Sequence, residues 1–221
     1  MQKDIFFSEP SCWAPGLTSQ DDWALWARGE KSIEQSSASP SIDFTPPLFR
    51  RRLSQLCKMT VHVVHDAMEK FHCGNLKQVF ISKRGEINRE LTINKSLIQE
   101  ETVLPAAFSL SVFNAPIALA AIACGLKSGY TAIFPSNGDF YPGLLAAASP
   151  VLSGEEDNIL LVYGDELVPE DYGNLCPEDN FPLSFACLVG RKKSGQCPKE
   201  ISLPGLIKSS PADFLKALLK N

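Results

Sequence analysis

Between Phe49 and Phe71 the apolar-periodic positions Phe49, Leu53, Leu56, Thr60, Val64, Ala67 and Phe71 recur every three or four residues, the period of one helix face. Thr45 stands ahead of the run as a cap and Pro46 falls in the first turn, so one long helix is expected from there, closed by Gly74. Upstream, "DIFFS" reads as a first strand, and "SQDDWALWARG" as a short helix capped by Ser19 and stopped by Gly29. Downstream, "KQVFIS" has the composition of a buried strand and "LTINKSLIQEE" is weakly helical. The apolar stretch from Pro105 to Gly125 is helical but broken by Pro116, giving either two helices or a turn near Asn114 with a fresh start at Pro116. "NILLVYG" and "PLSFACLVG" lack polar alternation, as strands covered on both faces do. A last helix, "PADFLKALLKN", is capped by Ser210.

Strands alternating with helices argue for a layered α-β-α fold with a mixed, mostly parallel sheet. With 221 residues and 44% hydrophobic content, a single domain over 1–221 is expected, with a polar, Ser-rich loop at about 29–44 and a C-terminal helix at about 210–220. A net charge of −4 gives no general attraction for nucleic acid. "MQKDIFFSEP" lacks the apolar core of a secretory signal, and no apolar run reaches the roughly 18 residues of a membrane span, so a cytoplasmic location is expected. Seven scattered cysteines without a C-x-x-C pair read as reduced, structural thiols.

Candidate chemistry centres on "GYTAIFPSNGDFYPGLLAAAS", a strand, a tight turn and a helix start. Helix N-termini stabilise negative charge, so such a turn can mount a nucleophile. No cysteine stands there. Ser136 is available, but the only histidines are His62, His65 and His72, far away in sequence on or beside one helix, so Ser136-Asn137-Gly138-Asp139 reads as a turn and cap. Cys124 lies in an apolar helix, where burial raises a thiol's pKa. His62, His65, Asp66 and Glu69 share a helix face, but no second ligand cluster completes a metal site, and a solvated face is expected. Arg50, Arg51 and Arg52, with Lys58, form a basic cluster suited to an acidic partner, or else to ion pairs and solubility. "GLKSG" and "SKRGE" lack phosphate-loop spacing.

Taken in order, "TPPLFRRRLSQLCKMT", "VFISKRGE", "LPAAFSLSVFNAPIALAAIACGLKSGYTAI", "GDFYPGLLAAA" and "NILLVYGDELVP" resemble the N-terminal half of a β-ketoacyl synthase, over roughly residues 45–190. More narrowly, the chain is similar to the short bacterial ketosynthase-like proteins found with aryl polyene pigment synthesis, in which one partner serves as chain-length factor. The resemblance implies half of a thiolase-like fold and, at or within two residues of Gly138, the place of the family's catalytic cysteine. The family's catalytic histidines belong to the second half of a full-length enzyme, and no histidine follows His72 here. It therefore implies a subunit without condensing activity of its own, needing no cofactor or metal, paired with a β-ketoacyl synthase and with acyl carrier protein as a further candidate partner. Tyr130, Thr131, Ala132, Ile133 and Phe134 would form the dimer interface. Phe108, Phe113, Phe134 and Phe140 would be candidates for lining an acyl tunnel, and Arg50 to Arg52 for meeting the acidic carrier. Two alternatives remain open: an acyltransferase or hydrolase acting alone through Ser136 or a cysteine, and a homodimeric scaffold that binds acyl chains.

Overall fold

The computed structural model describes residues 5–72, 74–135, 139–175 and 180–220. Among the described residues seven strands make one sheet: β1 (Phe6–Phe7), β2 (Ser11–Trp13), β3 (Gln78–Ile81), β4 (Tyr130–Ile133), β5 (Asn158–Asp165), β6 (Leu183–Gly190) and β7 (Lys199–Glu200). Their order is β4-β3-β5-β6-β1-β7, with β2 beside β6. β4, β3 and β5 are mutually parallel, and β6 runs against β5, β1 and β2. β7 runs against β1, so five of the seven strands share one direction. The sheet is mixed with mostly parallel strands and is covered by helices on both faces, the layered arrangement expected.

The helices are α1 (Gln20–Arg28), α2 (Pro47–Arg50), α3 (Gln55–Phe71), α4 (Ile87–Glu100), α5 (Pro105–Phe108), α6 (Ala115–Cys124), α7 (Phe140–Ser153) and α8 (Pro211–Leu219). Because side chains alternate along a strand, the central strands need cover on both sides. Phe80, Leu160, Val162, Ala186 and Leu188 pack under α3 and α6. Val79, Ile81, Leu161, Tyr163, Phe185 and Cys187 pack under α1, α7 and α8. α3 lies so close that a Cβ on Gly164 of β5 would stand 2.9 Å from Leu56 Cδ1.

Local caps explain where the sequence reading held and where it did not. Ser19 and Ser210 each close a capping box, with Asp22 and Asp213. The chain restarts at α6 with Pro116 in its first turn, the second of the two arrangements expected there. The long helix from Thr45 is instead divided. Pro47 begins the single turn of α2, and Ser54 then caps α3 by accepting the Cys57 N–H at 3.0 Å. Thr45 is buried and donates its hydroxyl to the Ile42 carbonyl at 2.7 Å, closing the preceding loop. A serine whose side chain satisfies a first-turn donor fixes the helix start more firmly than a proline upstream.

Candidate functional site

Among the described residues β4 is the last strand on its side of the sheet and pairs only with β3, in register Gln78↔Tyr130 to Ile81↔Ile133. The Gln78 N–H reaches the Gly129 carbonyl and the Ser82 N–H the Ile133 carbonyl. In a parallel ladder this phase turns the N–H groups of Thr131 and Ile133 toward β3 and leaves those of Tyr130 and Ala132 on the outer edge. The residues expected at an interface thus form an open strand edge, with Tyr130 and Thr131 exposed and Phe134, just beyond, 63% exposed.

Tyr130, Ala132 and Phe134 point to the α3/α6 side of the sheet, and both aromatics grip the loop that starts α6. The Asn114 side-chain amide donates to the Tyr130 hydroxyl at 2.9 Å. The Phe113 ring meets Phe134 edge-on at 6.0 Å and Phe80 at 6.3 Å. Phe113 also rests on Gly85, which has φ +60° and where a Cβ would come within 2.8 Å of the Phe113 ring. Only glycine serves there, for its conformation and for the contact. Phe108 stands exposed on α5. Phe140 does not join these residues: it is buried on the opposite face of the sheet, in ring contact with Tyr163, Phe185 and Phe214. It is a core residue of the face covered by α1, α7 and α8.

The turn that carries Gly85 is built on buried acids that sequence reasoning missed. Asp165, at the end of β5, accepts the Ser82 hydroxyl at 2.7 Å, the Tyr163 hydroxyl at 2.5 Å, and the N–H groups of Lys83 and Arg84 at 3.1 Å. Burial raises its pKa, with the Arg84 charge and these hydrogen bonds opposing. Ser82 Oγ in turn accepts the Gly85 N–H at 2.8 Å. Glu86 is wholly buried and receives Ser54 Oγ at 2.6 Å, Cys57 Sγ at 3.0 Å and Arg89 Nε at 2.9 Å. Glu166 accepts the Asn88 N–H at 3.1 Å, and burial, helped by the Glu86 charge, pushes its pKa up to about 7. The acids lie at the carboxyl ends of β3 and β5, where open α/β sheets place their sites. Beside them is a cleft of about 470 Å³ lined by Ser54, Asn88, Arg89, Ala107 and Glu166. The signal was present in "YGDE", two acids ending an apolar strand.

Other candidates resolve differently. Ser136, Asn137 and Gly138 lie outside the described residues, while Asp139 caps α7 by accepting the Tyr141 N–H at 3.1 Å. Burial raises the Cys124 thiol to about 11 and the Cys12 thiol to about 12. His65 is stacked on Phe44 at 3.7 Å, and burial lowers the pKa of His62, so the loop before α2 covers part of the face expected to be solvated. Among the described residues no cluster could hold a metal, and no helix is long and apolar enough to cross a membrane. Arg50 pairs with Asp43 at 2.9 Å, while Arg51 and Arg52 are exposed. Arg50 is the last residue of α2, Arg51 its C-cap and Arg52 the next residue, so the cluster sits at a helix C-terminus, where positive charge is favoured.

A family model described as the β-ketoacyl synthase N-terminal domain matches residues 23–212. The chain belongs to that family. Among solved structures it is similar to a chain of the ketosynthase ApeO in complex with its chain length factor ApeC from Xenorhabdus doucetiae. That match has 23% identity and a TM-score of 0.78, covering 98% of this chain and 91% of that one. It is also similar to the complex of a type II polyketide acyl-carrier protein with its ketosynthase bound to the hexaketide, AntDE:AntF, at 12% identity and TM-score 0.63, over 86% of this chain. A third similar structure is the module 1 ketosynthase of the bacillaene synthase from Bacillus amyloliquefaciens FZB42, at 15% identity and TM-score 0.59, over 85% of this chain. The chain spans 64% and 42% of the length of these last two. No curated protein matches the sequence.

Proposed function

We propose that this chain is a non-catalytic ketosynthase-like subunit, a chain-length factor that pairs through β4 with an active β-ketoacyl synthase elongating chains on acyl carrier protein. The observation that carries the reading is the open edge of β4, with the outer N–H groups of Tyr130 and Ala132 free to extend a sheet into a second subunit. The match of comparable length to a chain of a ketosynthase and chain-length-factor complex supports it. The aryl polyene setting is the narrower form of the same reading and rests on resemblance. In this role the whole chain works as one domain. Phe113 and Phe134 flank the edge and, with the exposed Phe108 of α5, would set the far wall of the partner's acyl tunnel, and Arg51 and Arg52 would face an acidic carrier. The raised pKa values of Cys12 and Cys124 argue against a thiol nucleophile working alone at either position.

The test is co-expression with a ketosynthase from the same source, followed by size-exclusion chromatography with light scattering. The reading predicts a one-to-one complex in which acyl-carrier substrate acylates only the ketosynthase. Acyl transfer to this chain in the absence of the ketosynthase would overturn it.

A further inference from the structure

Two carboxyl groups are buried where α3, α4 and β5 meet: Glu86, the residue before α4, and Glu166, just past β5. Glu86 receives Ser54 Oγ, Cys57 Sγ and Arg89 Nε. Glu166 takes the Asn88 N–H in the first turn of α4 at 3.1 Å, and also the Leu56 N–H in the first turn of α3. No side chain of the residue preceding α4 caps that helix, so its first turn depends on a carboxyl group from β5. One buried acid thus fastens the starts of two helices to the sheet.

The charges around the two acids do not balance. Arg89 pairs with Glu86 at 2.9 Å, and among the described residues no cation pairs with Glu166. From the turn before α4, Arg84 points its guanidinium at the Glu166 backbone carbonyl at 3.4 Å, while its charge acts on Asp165 at the end of β5. Lys83, in the same turn, gives Asp165 its backbone N–H. From α4, Glu90 adds a further carboxyl group within reach of the Glu86 charge, and from α3 the Cys57 thiol is kept protonated by burial. An ionised Glu166 is therefore a second buried anion without a cation of its own. Burial and the Glu86 charge outweigh its hydrogen bonds and raise its pKa to about 7.

We infer that Glu166 is a proton-operated latch on the start of α4: with its proton the helix is fastened to α3 and β5, and without it that fastening opens while the sheet stays folded. Residues 87–110 include no buried residue, so releasing the start of α4 uncovers little apolar surface. Its other fastenings are the Asn88 amide on the Leu167 carbonyl, Arg89 on Glu86 and on the Arg52 carbonyl, and the exposed Lys95–Asp171 pair. All but the last belong to the same junction, and an exposed ion pair adds little. Opening admits water to Glu166, which then ionises as an ordinary glutamate near 4.5. The open state therefore gains on the closed one by up to tenfold per pH unit between about pH 4.5 and 7, and no further above that. The latch works in the lone chain, with or without a partner.

The test is residue-resolved amide hydrogen exchange on the full chain from pH 5 to 8.5, expressed as protection factors corrected for intrinsic rates and repeated in 1 M urea. Protection of residues 88–92 is expected to fall at least tenfold between pH 5 and 7 and to level off above 7. It should stay well below that of β6 and respond little to urea, as local opening does. Glu166→Gln should abolish the fall, Glu90→Gln should leave it in place, and Glu86→Gln should move the levelling-off to lower pH. Protection within twofold across the whole range, a fall that persists in Glu166→Gln or vanishes in Glu90→Gln, or exchange at 88–92 that tracks β6 in urea would each overturn the inference. Should Glu166→Gln fail to fold, the wild-type curve decides: levelling off near pH 7 supports the latch, and levelling off below about pH 5 contradicts it.

Discussion

The side-chain amide of Asn114 donates to the hydroxyl of Tyr130 at 2.9 Å, tying the start of α6 to the open edge of the sheet. With the Phe113–Phe134 contact it makes the edge strand and the preceding loop one unit, so a partner bound to one contacts the other. The pair is solvent-exposed, so Tyr130→Phe should cost the lone chain no more than about 1 kcal/mol in urea unfolding. The same substitution should lower ketosynthase affinity several-fold in calorimetric titration, because the loop is no longer held against the edge.

Ala132→Pro removes an N–H on the outer edge of β4 and none of the bonds to β3. The lone chain should keep its circular dichroism spectrum, with a melting temperature within a few degrees of wild type. Binding to the ketosynthase should fall at least tenfold. Thr131→Pro, which removes an inner bond, should destabilise the lone chain as well, and comparing the two separates loss of folding from loss of pairing.

Gly85→Ala puts a methyl group within 2.8 Å of the Phe113 ring and forces alanine to φ +60°. Strain and overpacking together should cost roughly 2–4 kcal/mol. Trimming Phe113 to alanine in the same chain should relieve only the steric part. A double-mutant cycle read by denaturant midpoints should therefore show Gly85→Ala less damaging in the Phe113→Ala background than in wild type.

Glu166 makes stability depend on pH in an unusual direction. Its carboxyl group, ordinarily near 4.5, is raised to about 7 in the folded chain, so the native state holds the proton more tightly than the unfolded state. The stabilisation linked to this group is fully present below about pH 4.5 and is lost as pH rises through about 7. Glu166→Gln keeps an acceptor for the Asn88 N–H and removes the titration. The variant should be more stable than wild type at pH 8, by at most roughly 3 kcal/mol, with the difference shrinking toward pH 4.5. Chemical denaturation at a series of pH values measures it, and a difference that grows at low pH would contradict the assignment.

The sequence made some of this legible and not the rest, for physical reasons. The strands β1 and β3 to β6 and the capped helices α1 and α8 declared themselves because their signals are local: a serine with an acid three residues on, or an apolar run of strand length; β2 and β7, of three and two residues, carry no such run. The break between α2 and α3 was hidden because Leu53 and Leu56 keep helical spacing across it, and only the Ser54 cap shows where the backbone restarts. The edge position of β4 and the exposure of Tyr130 and Phe134 followed from the family resemblance rather than from pattern. The same strand with the same composition could have been central. The network of Glu86, Asp165 and Glu166 joins residues about 80 positions apart through the β3 and β5 pairing, which no periodicity reports. The family resemblance groups Phe140 with Phe134, but their rings lie on opposite faces of the sheet, which a resemblance of motifs does not report.

The most direct test of the account is residue-resolved amide hydrogen exchange along β4, with and without saturating ketosynthase. The account predicts that the outward N–H groups of Tyr130 and Ala132 gain strong protection in the complex, while those of Thr131 and Ile133, already turned toward β3, change little. A saturated complex in which Tyr130 and Ala132 exchange as fast as in the lone chain would contradict pairing through this edge.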